Sequence, residues 1–171
     1  MKPLNVKTIS AEEIRYVNKF YKEQGEKSRV QEFETVVVAE SSFNTNRNSN
    51  INDGDACIVA ALRMVPMASK SQALQISQSL EEAPYWWLRS VYVAEAFRRE
   101  GLATKILRAA LVQCEEQCYC FPFVELQSLY ETVGFQACSL DNLPAGLRGR
   151  FQRYQRKNAI LAMAWSPQTS H

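Results

Sequence analysis

Residues 91–104 read VYVAEAFRREGLAT: an apolar run, a polar turn and the opening of an amphipathic helix in immediate succession. Val91-Tyr92-Val93 has the composition of a strand end. Arg98-Arg99-Glu100-Gly101 forms the turn, and a helix begins at Gly101-Leu102. The first N–H groups of a helix have no partner inside it, and they lie at the positive end of the helix dipole. A strand feeding a helix in this way can hold a phosphate or pyrophosphate by backbone alone. Gly101 removes the side chain that would stand where the oxygens go. The stretch lacks both the GK[ST] ending of a P-loop and the three glycines of a dinucleotide fingerprint.

Outward from this turn the pattern continues on both sides. Upstream, Tyr85–Val93 (YWWLRSVYV) predicts a strand. Its adjacent Trp86 and Trp87 face opposite sides of the sheet; core packing or the lining of an acceptor pocket is open to each. Downstream, Leu102, Ile106, Ala110 and Cys114 form one row and Ala103, Leu107 and Leu111 the next, which predicts a helix over 101–117 packed on a sheet. Cys118–Val124 predicts a strand interrupted by Pro122. Leu126–Val133 predicts a short helix capped by Gly134, and Phe135–Cys138 another strand.

Arg98-x-x-Gly101-x-Ala103 resembles the Arg/Gln-x-x-Gly-x-Gly/Ala signature of the GCN5-related N-acetyltransferases (GNAT). Leu129-Tyr130-Glu131-Thr132-Val133-Gly134-Phe135 resembles the family's Leu-Tyr-x-x-x-Gly-Phe helix end, in the right order and at the right spacing. The resemblance covers roughly residues 33–138. It implies an α/β fold of the α+β kind: a mixed, strongly twisted, mostly antiparallel sheet with helices on both faces. It also implies acetyl-CoA as co-substrate, with no metal. Val91 and Val93 would give backbone hydrogen bonds to the pantetheine arm, in a gap where the strand 91–93 splays from 118–123. The pyrophosphate would rest on the N–H groups of Arg98, Arg99, Gly101, Leu102, Ala103 and Thr104. Tyr130 matches the tyrosine that lies near the thioester sulfur, where a phenol can donate to the departing thiolate. Reference pKa values near 10 for tyrosine and about 8.5 for a thiol make that transfer feasible.

Two positions depart from the resembled pattern. Aligned on Gly101, the site of the strand glutamate in the histone-modifying members holds Trp87, and the asparagine often found seven residues before the tyrosine is Phe123. His171, the last residue, is the sole histidine, so Glu40, Glu81, Glu82, Glu125 or a water chain remain as routes for the acceptor's proton.

The rest of the chain fits a soluble enzyme. Its 171 residues suit one domain, 1–171, and a formal net charge of +2 argues against a dedicated nucleic-acid binder. No run approaches the ~20 apolar residues of a membrane span. MKPLNVKTIS has no apolar core of a signal peptide. With an odd count of cysteines (Cys57, Cys114, Cys118, Cys120 and Cys138) the reading is free thiols in the cytoplasm, and Cys118-x-Cys120 has the wrong spacing for zinc. Ser10 and Glu13 form a capping box ahead of Ile14, Val17, Phe20 and Tyr21 on one helical face, and Gly25 ends that helix. Lys27-Ser28-Arg29 follows as a short stretch with helical potential; Arg29 or Tyr21 could touch substrate, against the plainer roles of a solvated charge and a core aromatic. Glu34–Glu40, with three consecutive valines, predicts a strand covered on both faces. Residues 41–54 predict a mobile hairpin loop. Ala56–Met67 predicts a strand with Pro66 at an edge or bulge. Residues 68–83 predict a polar loop or surface helix. Pro144–Lys157 predicts a basic helix with Leu147, Phe151 and Tyr154 on one face, its arginines solvated or facing an acidic partner. Ala159–Trp165 predicts the last strand.

These readings together point to an acetyl-CoA-dependent N-acyltransferase acting by direct attack in a ternary complex. The acceptor would be a small-molecule amine or a protein amine, without nucleic acid or membrane, and a homodimer is compatible with the sequence. The competing reading is a non-catalytic acyl-CoA-binding or protein-interaction module on the same fold.

Overall fold

The computed structural model describes residues 4–42, 57–67 and 83–168. Eleven regular elements follow in order. They are β1 (Leu4–Thr8), α1 (Ile14–Glu23), β2 (Thr35–Ser41), β3 (Cys57–Met67), β4 (Tyr85–Val93), α2 (Leu102–Leu111), β5 (Gln117–Cys120), α3 (Gln127–Thr132), β6 (Gln136–Ala137), α4 (Ala145–Gln155) and β7 (Met163–Trp165). The strands make one sheet in the order β1-β2-β3-β4-β5-β7-β6. β4–β5 is parallel, while β1–β2, β2–β3, β5–β7 and β6–β7 are antiparallel. The mixed, mostly antiparallel sheet flanked by helices is the fold class the sequence implies. The predicted loops at 41–54 and 68–83 lie almost wholly outside the described residues.

The chain divides into two compact units, residues 1–64 with 90–113 and residues 65–89 with 114–171. In the first, the capping box forms: Glu13 accepts from the Ser10 backbone N–H at 2.8 Å and from its hydroxyl at 3.1 Å. Val17, Phe20 and Tyr21 of α1 then pack on Val36, Val38 and Ala61. Val37 is buried as well, so all three valines are covered, as a strand coated on both faces requires. β1, which the sequence reading left unassigned, pairs with β2 from Leu4↔Ser41 to Thr8↔Val37. Its alternation is weak because Lys7 points to a carboxylate pair, Glu13 and Glu40. Residues 27–29 are not helical. They are pulled instead onto Arg63, a fully buried guanidinium that bonds both Glu34 oxygens at 2.7 Å, the Ser28 hydroxyl at 2.8 Å and the Arg29 carbonyl at 3.0 Å.

In the second unit, Leu147 of α4 packs with Val65, Tyr85 and Trp87, and Phe151 packs with Leu143, Ile160 and Ala162. Several predicted bounds shorten. The helix predicted over 101–117 ends at Leu111, where Val112 is 85% exposed, because the chain must turn to set Gln117 beside Tyr85. The strand predicted to Val124 ends at Cys120, since Pro122 has no N–H for the ladder. Phe123 and Ile160 keep one isolated bridge beyond it. For the same reason the last strand runs over Met163–Trp165 rather than from Ala159. Pro66 sits past the β2–β3 register, which stops at Thr35↔Met64, so β3 is interior yet loses no bond to β2 there.

Candidate functional site

The β4–α2 connection is built as the sequence suggests, with one exception. A single 3-10 turn, Glu95–Phe97, anchors it through the buried Phe97. The N–H of Arg98 closes that turn onto the Glu95 carbonyl at 3.2 Å, so it is withdrawn from the donors expected to face an anion. Its side chain folds back, with Nε donating to the Val93 carbonyl at 3.0 Å. Arg99 (φ 66°) and Gly101 (φ 75°) then both adopt the left-handed conformation. Gly101 is the residue preceding α2, and its carbonyl accepts from Lys105 N–H, which leaves Leu102, Ala103 and Thr104 with the first, unpaired N–H groups of the helix. Arg98–Gly101 are exposed, and a Cβ on Gly101 would meet nothing within 4 Å among the described residues. The positive dihedral is what demands glycine at this position.

Before this turn, β4 changes character along its length. Its register with β5 runs from Tyr85↔Gln117 to Leu88↔Cys120, and Arg89–Val93 lie beyond it. Val91, Tyr92 and Val93 are only half-buried. Just past the end of this register, Ser90 takes φ 53° inside a strand, a strained conformation for a residue with a Cβ. It is held from two sides. The Tyr21 hydroxyl donates to the Ser90 carbonyl at 2.9 Å, and the Ser90 hydroxyl donates to Glu26 at 3.0 Å. The other Glu26 oxygen accepts from the Ser28 N–H and hydroxyl, both at 2.9 Å. Glu26 is a half-buried carboxylate that the sequence reading passed over, because nothing in its loop context marks it. Tyr21 is fully buried and serves the strand, while Arg29 is exposed with its carbonyl committed to Arg63.

Tyr130 is 5% exposed, its ring edge-on to Phe135. Among the described residues its hydroxyl has no hydrogen-bond partner. Burial, reinforced by Cys120 and Cys118, pushes its pKa far above the ordinary tyrosine value. The near-match to a thiol expected from reference values is therefore lost. In this setting the phenol remains neutral, suited to donating a hydrogen bond.

The carboxylates proposed from sequence fare unevenly. Glu40 pairs with Lys7 at 3.0 Å, Glu125 is exposed in a 3-10 turn, and Glu81 and Glu82 lie outside the described residues. Trp87, where the resembled pattern has a glutamate, is 4% exposed and stacks on Tyr154, with the Arg89 and Arg150 guanidiniums over its ring. Phe123 is 48% exposed. A cavity of about 320 Å³, lined by Tyr85, Gln117, Asp141 and Arg148, sits at the start of β4 rather than at its Val93 end. Among the described residues no group of side chains could hold a metal, and no helix is long and apolar enough to cross a membrane.

Comparison with known proteins agrees with this geometry. Residues 53–137 match the family model for an acetyltransferase (GNAT) domain. Over these residues the chain carries the acetyltransferase domain of the GCN5-related N-acetyltransferases. No curated protein matches the sequence. Among solved structures, it is similar to N-acetylglutamate synthase from Neisseria gonorrhoeae complexed with coenzyme A and N-acetyl-glutamate, at TM-score 0.60 and 10% identity over 99% of this chain. The chain spans 36% of that protein. It is also similar to Arabidopsis thaliana NAA60 in complex with acetyl-CoA, at TM-score 0.58 and 10% identity over 95% of this chain and 96% of that one. A GNAT-family acetyltransferase from Staphylococcus aureus Mu50 gives TM-score 0.56 at 12% identity, over 95% of this chain and 98% of that one. At these identities the likeness is one of fold.

Proposed function

We propose that the protein is an N-acetyltransferase that carries acetyl from acetyl-CoA to a primary amine by direct attack in a ternary complex. The observation that carries this reading is the helix start at Gly101, where two left-handed residues precede the first N–H groups of α2, those of Leu102, Ala103 and Thr104. Pyrophosphate is the chemistry such a start selects. The exposed Arg99 adds charge, and the Arg99 and Gly101 N–H groups complete the donor set, whereas Arg98 contributes its side chain and not its N–H. The half-buried Val91 and Val93 offer main chain to the pantetheine amides, Val93 with its carbonyl shared with Arg98. The acceptor nitrogen bonds to the acyl carbon, the C–S bond breaks, the proton lost by the amine passes to water, and Tyr130 stabilises the departing thiolate by a hydrogen bond. Complexes of the two neighbours with N-acetyl-glutamate and with acetyl-CoA support the co-substrate and a small or protein-borne amine as acceptor. The setting is a cytoplasmic one.

The packing of Trp87 at the expected carboxylate position favours a second reading, an acyl-CoA-binding module without catalysis. One titration separates the outcomes. Acetyl-CoA at ~100 times its Kd adds about 2.7 kcal/mol, a rise of roughly 5–10 °C for a domain of this size. That rise is expected in wild type and absent in Gly101→Glu, which places a carboxylate where the pyrophosphate sits. No rise in folded wild type at millimolar acetyl-CoA overturns both readings. A rise without thiol release across a panel of amines leaves only the binding module.

A further inference from the structure

Four of the chain's five cysteines lie in the second unit, and the sheet gathers three of them. Cys118 and Cys120 are alternate residues of β5 and share one face of it. Cys120 pairs with Met163 of β7, whose other neighbour, Ala137, precedes Cys138. The fourth, Cys114, stands outside the sheet, in the irregular stretch between α2 and β5. That stretch is fastened where Cys118 sits. The Trp86 indole N–H donates to the Glu116 carboxylate at 2.7 Å, and Trp86 is the β4 residue paired with Cys118. Cys114 is thereby held against Cys118, and the two side chains are hydrogen-bonded to each other.

The two thiols are unequal. Cys118 is fully buried, and its strand is paired on both sides, with Trp86 and with Trp165. Cys114 is 9% exposed, and Glu115 and Gln117 around it are exposed. The bond from Cys118 holds the Cys114 thiol below its ordinary value, against the effects of burial and of the Glu116 charge. Burial holds the other four thiols above theirs, Cys118 and Cys120 furthest. A thiol that ionises readily near the surface, with a second thiol behind it, has the arrangement of an attacking and a resolving cysteine.

We propose that Cys114 and Cys118 are a reversible oxidation site, with Cys114 the attacking thiol, Cys118 the resolving one and a low-molecular-weight disulfide, RSSR, the oxidant. The site goes beyond the acetyl-transfer reading and does not depend on it. The Cys114 thiolate attacks one sulfur of RSSR, the S–S bond breaks, and the released thiolate takes the proton that Cys114 gave up. The Cys118 sulfur then attacks the Cys114 sulfur of the mixed disulfide. The bond to R–S breaks, and the second released thiolate takes the Cys118 proton. Two protein thiols are oxidised to one disulfide, and one RSSR is reduced to two RSH.

The test equilibrates the reduced full chain with glutathione disulfide, quenches it in acid and alkylates it in denaturant. Wild type is expected to lose two of its five alkylatable thiols, with peptide mapping placing the bond between Cys114 and Cys118 and dithiothreitol restoring both. Cys118→Ala should stop at a glutathione adduct on Cys114. Cys114→Ser should form neither adduct nor bond, while Cys57→Ser and Cys138→Ser should behave as wild type. A second measurement needs no variant: brief alkylation of the native protein should mark Cys114 before Cys57 and Cys138, although those two are more exposed. Four outcomes overturn the proposal. They are a bond between any other two cysteines, a wild type that keeps all five thiols in excess glutathione disulfide, oxidation of Cys114→Ser, and first labelling of Cys57 or Cys138.

Discussion

The Tyr21 hydroxyl donates to the carbonyl of Ser90 at 2.9 Å, joining the end of α1 to the one left-handed residue within β4. The bond fixes a strand residue at φ 53°, and the Ser90 hydroxyl, donating to Glu26, fixes it again. Strain of this sort persists where surrounding groups over-determine it, and it is concentrated at functional sites.

Ser90 separates the two contributions. Ser90→Ala loses the bond to Glu26 and keeps the strain, so it should cost about 1 kcal/mol. Ser90→Gly loses the same bond but relieves a left-handed penalty of about 1 kcal/mol, and should unfold near the wild-type midpoint. Urea denaturation of the pair with wild type is the measurement. Equal losses in both variants would show that φ at Ser90 carries no strain.

Arg63 and Glu34 are the buried ion pair of the first unit, with side chains 2% and 4% exposed. Glu34→Gln or Arg63→Met should cost about 3–5 kcal/mol each, because the partner stays buried and charged. The double variant Arg63→Met/Glu34→Leu should be markedly less unstable than the sum of the singles. Additive losses in calorimetry would mean that the two groups do not act as a pair.

Tyr130→Phe should leave stability within about 0.5 kcal/mol of wild type, since the hydroxyl has no partner to lose among the described residues. Its effect belongs to the reaction, with kcat for acetyl transfer expected to fall about tenfold to a hundredfold. The rate profile should show no tyrosine ionisation up to pH 10, because burial raises that pKa. An unaltered kcat in the variant would remove Tyr130 from the chemistry.

Alkali should weaken the second unit. Cys118 and Cys120 are pushed well above 9.0 by burial, and Tyr130 above 10.0. Raised folded-state values mean that these groups hold protons which the unfolded chain releases. Their contribution is complete well below the unfolded thiol value of about 8.5 and is lost as pH climbs past it. Denaturant midpoints should therefore fall steadily from pH 8.5 to 10.5, and Cys118→Ala should flatten the slope. A flat profile in wild type contradicts the burial of these thiols.

The main chain of the site was legible in the sequence because it obeys local rules. A strand, a turn with Gly101 and an amphipathic helix each have their own period or dihedral requirement, and β4 carries the bounds Tyr85–Val93 that its composition suggests. Gly134 (φ 100°) closes α3 as a glycine after a helix should. The fold class followed from these elements in order, together with the family resemblance of their two motifs. What tertiary structure alone decided lies in contacts between positions far apart in sequence. β1 became a strand because β2 had an edge to pair. The helix predicted to residue 117 stopped at Leu111 because Gln117 had to meet Tyr85. Arg98 lost its N–H to a turn. Glu26 reached Ser90 across 64 positions, and Arg89 and Arg150 met over Trp87. Sequence periodicity reports which face of an element is apolar; which polar groups meet is set only when those faces pack.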